Sequence, residues 1–273
     1  SMSTTAIKRV VWLTDLHLSS VRPENRQPFV DQVAAAQPDA LLLGGDLGEA
    51  DNVARFLQNL VGMFQIPTYF VLGNHDFYGG GIGQVRSDVQ RLSQELELLH
   101  YLSAATEPIS LNSRTGLVGH DGWADGREGD YDGSLVMLND YRLIDELARF
   151  SKTERLRELH RLGDEAAQHI RNLLSRALPS YEEVFLLTHV PPLRDACWYQ
   201  GRVSDDEWAP HFVCQAMGAA ILEIAERFPE KQISVLCGHT HSPGTCQPAD
   251  NVTIITGGAE YGNPEITQVF ELA

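Results

Sequence analysis

Apolar residues fall along this chain in short dense runs separated by longer stretches of mixed pattern. Five runs, Arg9–Thr14, Ala40–Leu43, Thr68–Leu72, Val184–Leu187 and Ile233–Cys237, are of strand length and show no regular alternation with polar positions. Runs of this kind predict strands covered on both faces. Helical periodicity follows each of the first three, over about Asn25–Ala36, Asn52–Phe64 and Gln84–Leu98. Strand and helix in alternation predict parallel strands joined by crossover helices. Short strands are expected at Ile109–Leu111 and Gly116–Gly119. A helix over about Phe212–Phe228 leads into the fifth run, and strands at Val252–Gly257 and Ile266–Leu272 close the chain.

The pattern changes between residues 121 and 180. Asp121–Gly133 is rich in Gly and Asp and reads as a solvated acidic loop. Asn139–Phe150 and Lys152–Leu178 read as helices, the second with a stripe of Leu156, Leu159, Ile170, Leu173 and Leu174. The simplest division is one domain over residues 1–273 with a helical insertion or cap at about 121–180. No internal repeat or low-complexity linker interrupts it.

Each of the five apolar runs ends in a polar motif. They read Asp15-Leu16-His17, Gly44-Gly45-Asp46, Gly73-Asn74-His75-Asp76, Thr188-His189-Val190-Pro191 and Gly238-His239-Thr240-His241. The ends of parallel strands converge on one rim of a sheet, so these side chains are expected in one pocket. Asp15 and His17, two apart, share a face on an ideal strand and reach one ion just past its end. Asp46 has two carboxylate oxygens and can bridge two ions. Asn74 offers a carbonyl oxygen, and His189, His239 and His241 offer imidazole nitrogens. This mixture suits Mn, Fe, Zn, Co or Ni, whereas Mg and Ca favour all-oxygen sites. Taken singly, each motif is an ordinary turn or cap; together and in order they are specific.

The ordered set D-x-H, G-D, G-N-H-D, H and G-H-x-H resembles the calcineurin-like metallophosphoesterase superfamily, over about Arg9 to Ala259. The resemblance implies an αββα sandwich of two mixed β-sheets flanked by helices. It also implies a two-metal site, with Asp15, His17 and His241 on one ion, Asn74, His189 and His239 on the other, and Asp46 between them. His75 is implied as a catalytic residue that binds no metal and either protonates the leaving oxygen or stabilises charge in the transition state, and Asp76 is expected to orient it through a carboxylate–imidazole hydrogen bond. The implied reaction is phosphoester hydrolysis by a metal-activated water, whose pKa falls to about 7 in a zinc case. Protein phosphatases of the superfamily carry an Asp-Arg-Gly run and G-N-H-E; this chain has Gly48-Glu49-Ala50-Asp51-Asn52 and Asp76 instead. A small phosphodiester or nucleotide-like substrate is therefore expected, with a phosphomonoester as the alternative. A metal-binding interaction module without catalysis is the alternative of a different class, and the complete ligand set and His75 argue against it.

Composition narrows the partners. The net charge of −16, from 21 basic and 37 acidic residues, disfavours duplex nucleic acid, whose binding rests on Lys and Arg. No apolar stretch is long enough to span a membrane. Ser1–Ala6 lacks the basic and apolar regions of a signal peptide, and the four cysteines form no C-x-x-C pair. These features predict a reducing, cytoplasmic setting. Arg127, Arg142, Arg194 and Arg202 are candidates for gripping a substrate phosphate.

Overall fold

The computed structural model describes residues 6–273; residues 1–5, and with them most of the segment read for a signal peptide, lie outside it. Strands β1 (Arg9–Leu13), β2 (Ala40–Leu43), β3 (Thr68–Phe70) and β4 (Leu99–Tyr101) alternate with helices α1 (Pro23–Ala35), α2 (Val53–Phe64) and α3 (Ile82–Glu95). Next come β5 (Ile109–Ser110), β6 (Thr115–Gly119), two short helical turns, α4 (Asp140–Leu143) and α5 (Asp145–Ala148), and the long α6 (Lys152–Ala177). The chain continues through β7 (Glu183–Leu187), a small hairpin of β8 (Trp198–Tyr199) and β9 (Arg202–Val203), and α7 (Gln215–Arg227). It ends with β10 (Gln232–Cys237), β11 (Gly244–Ala249), β12 (Val252–Thr256) and β13 (Gln268–Glu271).

The strands form two mixed sheets, in the orders β13-β1-β2-β3-β4 and β11-β12-β10-β7-β6-β5. β1 to β4 are mutually parallel and β13 runs against β1; β6, β7, β10 and β12 are parallel, with β5 and β11 antiparallel at the edges. Alternation along each strand sorts the core into layers. In β1, Val10 and Trp12 join Leu42, Tyr69, Phe185, Leu187 and Leu236 between the sheets. Val11 and Leu13 face the other way, onto Phe29, Val33 and Leu57 of α1 and α2. On the far side Val184, Leu186 and Val235 pack under Ile170 and Leu173 of α6 and Ile221 and Ile224 of α7. This is the αββα sandwich that the resemblance implies. Both faces of both sheets are covered, which is why the strand runs carry no polar alternation.

The stretch 121–180 contains a long helix and two short helical turns. α6 opens on a reciprocal cap, with Ser151 Oγ accepting from Glu154 N and the Glu154 carboxylate accepting from Ser151 N. It then packs along α7 as part of the outer layer of the second sheet. The expected helix over Asn139–Phe150 breaks into α4 and α5 at Ile144, whose backbone is extended. The acidic loop is not simply solvated either. Asp125 is buried, and its carboxylate accepts the Gln215 and Ala216 N–H groups at the start of α7 while pairing with Arg127. No helix among the described residues is long and apolar enough to cross a membrane.

Candidate metal centre

Three of the five motifs turn the chain through the left-handed region where their strands end. Asp15 (φ 53°), His17 (43°), Asp46 (54°), His239 (76°) and His241 (59°) all lie in the left-handed region. Only three other non-glycine residues of the described chain do so: Gln37, Gln65 and Gln200. For ordinary L-residues this conformation costs about 1–2 kcal/mol each, and strain of this kind concentrates at functional sites. The glycines allow the close approach. A Cβ on Gly238 would sit 2.1 Å from Asp15 Oδ2, and one on Gly73 would sit 2.2 Å from Asp46 Oδ1.

These turns bring all seven predicted ligands together. One donor atom each from Asp15, His17, Asp46 and His241 lies within 4.8 Å of the others. His17 Nε2 is 2.9 Å from His241 Nε2, which is 3.4 Å from Asp15 Oδ1. Asp46 Oδ2 stands between two groups, 3.6 Å from His17 Nε2 and 3.4 Å from His189 Nε2. In the second group, His239 Nδ1 faces Asn74 Oδ1 at 3.1 Å, and the His189 and His239 rings meet with centroids 5.1 Å apart.

The surroundings aim the donors. His189 Nδ1 contacts the Gly44 carbonyl at 2.8 Å, which fixes its N–H there and turns Nε2 inward. That buried Nε2 has no hydrogen-bond partner among the described residues. Asn74 Nδ2 donates to Asp140 Oδ1 at 2.8 Å, so the amide oxygen is the atom left facing His239. Thr14 Oγ1 donates to Asp15 Oδ2 at 2.7 Å.

The electrostatics match. Among the described residues, the ion-pair partners of the buried Asp15 and Asp46 are histidines. Burial holds His17 down at about 4 and His239 at about 3, keeping both as neutral lone-pair donors. Burial acts the same way on His189, but Asp46 and then Asp15 overcome it and raise that ring to about 10. Burial would raise Asp46, yet the neighbouring histidines, His189 foremost, hold it well below the usual carboxylate range. Two buried carboxylates, two neutral imidazoles and an unpartnered imidazole nitrogen make a donor set that fits divalent cations.

His75 stands apart from the donor cluster. Its backbone N–H donates to Asp46 Oδ1 at 2.9 Å, while its ring stacks on Tyr78 at 4.3 Å and meets His17 edge-on at 4.8 Å. Asp76 does not orient it, contrary to expectation. Residues 74–77 form a 3-10 turn that carries the Asp76 side chain back under the loop. There its two oxygens accept four backbone N–H groups, from Asp46 and Gly73 on Oδ2 and from Leu47 and Gly48 on Oδ1, at 2.8–2.9 Å. Burial and the Asp46 charge push Asp76 up to about 7 against those amides.

The sequence gives no hint of Tyr261, whose ring lies 4.5 Å from His17 and 4.9 Å from His241. It also does not reveal Asp140, which orients Asn74. Both come from segments far along the chain, and neither sits in a run of donor residues. His120, just past the end of β6, is buried beside His169. Arg127 and Arg194 are spent in ion pairs with Asp125, Asp164 and Asp206.

The calcineurin-like phosphoesterase family matches residues 8–243 of the chain. Among solved structures, the phosphopantetheinyl hydrolase of Mycobacterium tuberculosis is similar with a TM-score of 0.69 at 16% identity, over 94% of this chain and 91% of that one. A dimetal phosphatase of Danio rerio is similar with a TM-score of 0.61 at 14% identity, over 98% of this chain and 93% of that one. No curated protein matches the chain.

Proposed function

The chain belongs to the calcineurin-like phosphoesterase family, and from that premise we propose that it hydrolyses a small phosphodiester or nucleotide-like substrate at a two-metal centre. Phosphate-ester hydrolysis is the family's chemistry; the number of ions and the substrate are the proposal. The observation that carries it is the position of Asp46, whose Oδ2 is 3.6 Å from His17 on one side and 3.4 Å from His189 on the other. Asp15, His17 and His241 would hold one ion, and Asn74, His189 and His239 the other, with Asp46 shared. The donor set suits Mn, Fe, Zn, Co or Ni. Bound ions supply Lewis acidity, lowering the pKa of water and neutralising phosphoryl charge.

The chain's own residues do the rest. Water adds its oxygen to phosphorus, the ester P–O bond breaks, and the leaving oxygen takes a proton. His75, outside the donor cluster but touching its edge, is the group placed to give that proton. Asp76 keeps the 46–48 and 73–76 loops in register, so Asp46 and His75 hold their separation. The four free cysteines support a reducing, cytoplasmic setting.

The test is to load metal-free protein with each candidate metal, measure stoichiometry by elemental analysis, and assay phosphomonoesters, diesters, cyclic nucleotides and dinucleoside polyphosphates. Two ions per chain and turnover favouring diesters are expected. A fully loaded protein that turns over no ester on the panel would overturn the reading.

A further inference from the structure

Two hollows lie next to the donor cluster. The smaller, about 270 Å³, is lined by His17, Glu49, His75, Tyr78 and Tyr261. The larger, about 710 Å³, lies over the β8–β9 hairpin and the turn that follows it, and is lined by Tyr199, Arg202, Asp205, Trp208, Phe212 and Thr240. The large cleft adjoins the centre through two of its lining residues. Thr240 lies between His239 and His241 in sequence, and the Phe212 ring is 4.6 Å from the His239 ring. Trp208 extends that aromatic path outward, 5.9 Å from Phe212.

The cleft wall is built to present aromatic surface. Gln200 and Gly201 both have positive φ, the requirement of a tight type I′ hairpin. Trp198 points inward and packs over Gly244, where a Cβ would meet the indole at 2.2 Å. The next side chain, Tyr199, is thereby turned out and is 60% exposed; Trp208 is 46% exposed. Of nine large hydrophobic residues exposed in the described chain, Tyr199, Val203 and Trp208 line this one cleft. The Asp205 carboxylate is occupied by the Glu207 and Trp208 N–H groups. Arg202 has no ion pair or side-chain hydrogen bond among the described residues, although the chain is strongly acidic. A free guanidinium beside exposed indole and phenol rings offers stacking together with hydrogen bonds to carbonyl edges.

The geometry points to a substrate whose retained arm, the one that keeps the phosphate, carries a planar nucleobase-like ring laid against Trp208 and Arg202 on the cleft wall. The smaller alcohol leaves through the hollow beside His75. This inference rests on the phosphodiesterase reading and adds a direction to it: hydrolysis releases the alcohol on the His75 side and leaves the monophosphate on the ring-bearing arm.

The test uses two diesters with the same leaving group, thymidine nitrophenyl phosphate and ethyl nitrophenyl phosphate, on the metal-loaded protein. In each, water adds to phosphorus and nitrophenol departs, leaving thymidine monophosphate or ethyl phosphate. The thymidine ester should have a kcat/KM at least about tenfold higher, mostly through KM, as stacking on one aromatic residue supplies. Trp208→Ala and Arg202→Ala should each cut kcat/KM on the thymidine ester several-fold more than on the ethyl ester. Trp208 fluorescence should also be quenched by thymidine monophosphate, an effect absent in Trp208→Ala. Equal kcat/KM on both esters, with no quenching, would overturn the cleft's role and leave the hydrolase reading intact. Loaded protein that cleaves neither ester would overturn the diesterase reading, and the quenching measurement would then decide the cleft alone.

Discussion

Replacing Asp76 with Asn is the sharpest test of how the centre is held. The change keeps shape but removes charge, and turns one acceptor oxygen into an amide donor. The carboxylate accepts four backbone N–H groups, two on each oxygen. An Asn side chain can accept from only one pair and presents its own N–H groups to the other. A hydrogen bond to a charged group contributes about 1.5–3 kcal/mol net, so losing two costs about 3–6 kcal/mol. In domains of about 150–250 residues each kcal/mol lowers Tm by about 2–4 °C, which gives a drop of at least about 6 °C. The measurement is calorimetric unfolding of metal-free wild-type and Asp76→Asn proteins, so that ion binding adds no stability to either. It is made at pH 8, where the wild-type carboxylate is ionised; burial and the Asp46 charge, which push Asp76 up to about 7, oppose that charge in the folded protein and are the effect the four N–H groups must outweigh. The variant should also lose metal affinity in a chelator competition, because the released loop carries Asp46. A melting temperature within about 2 °C of wild type would refute the clamp.

Three further outcomes are expected. His75→Ala should keep its metal content but lose about 10²–10⁴-fold in turnover, and lose less on nitrophenyl than on alkyl esters because a good leaving group needs little protonation; equal losses on both would exclude the proton-donor role. Asp46→Asn should lower metal occupancy and activity together, since one anion is removed from between both donor groups; elemental analysis beside a rate assay checks it, and wild-type values for both would place Asp46 outside the site. Native protein should react with a thiol reagent first at the half-buried Cys246, because burial pushes Cys214 and Cys237 up to about 12 and leaves almost no thiolate at neutral pH; mass spectrometry of the first labelled product reads the site.

The candidate ligands were legible because strand ends impose a rule. An apolar run fixes the strand, the strand fixes where the chain emerges, and donors clustered at five emergences have one rim on which to meet. Residues that act through single tertiary contacts leave no such trace. Asp140 reaches Asn74 across 66 positions and sits among polar residues that look like a helix surface. Asp76 reads as a partner for its neighbour His75 until the 3-10 turn carries it the other way. α6 reads as an insertion because its stripe is that of any amphipathic helix, and only its packing beside α7 shows that it covers the second sheet. β4 and β11 were missed for a related reason: β4 is short, and β11 mixes Gly, Thr, Gln and Pro at a sheet edge where only one neighbour demands a pattern.

The five left-handed donor residues have a consequence for how this sequence can change. At Asp15, His17, Asp46, His239 and His241 the backbone is one that glycine adopts freely, so glycine there relieves about 1 kcal/mol or more per position. Folding thus pulls these positions towards glycine, and only the need to hold cations pulls back. Variants recovered by selecting for heat resistance alone should accumulate glycine at these sites, becoming sturdier as they become inert. A lineage released from the chemistry would erase its donors first, and the scaffold would outlast them.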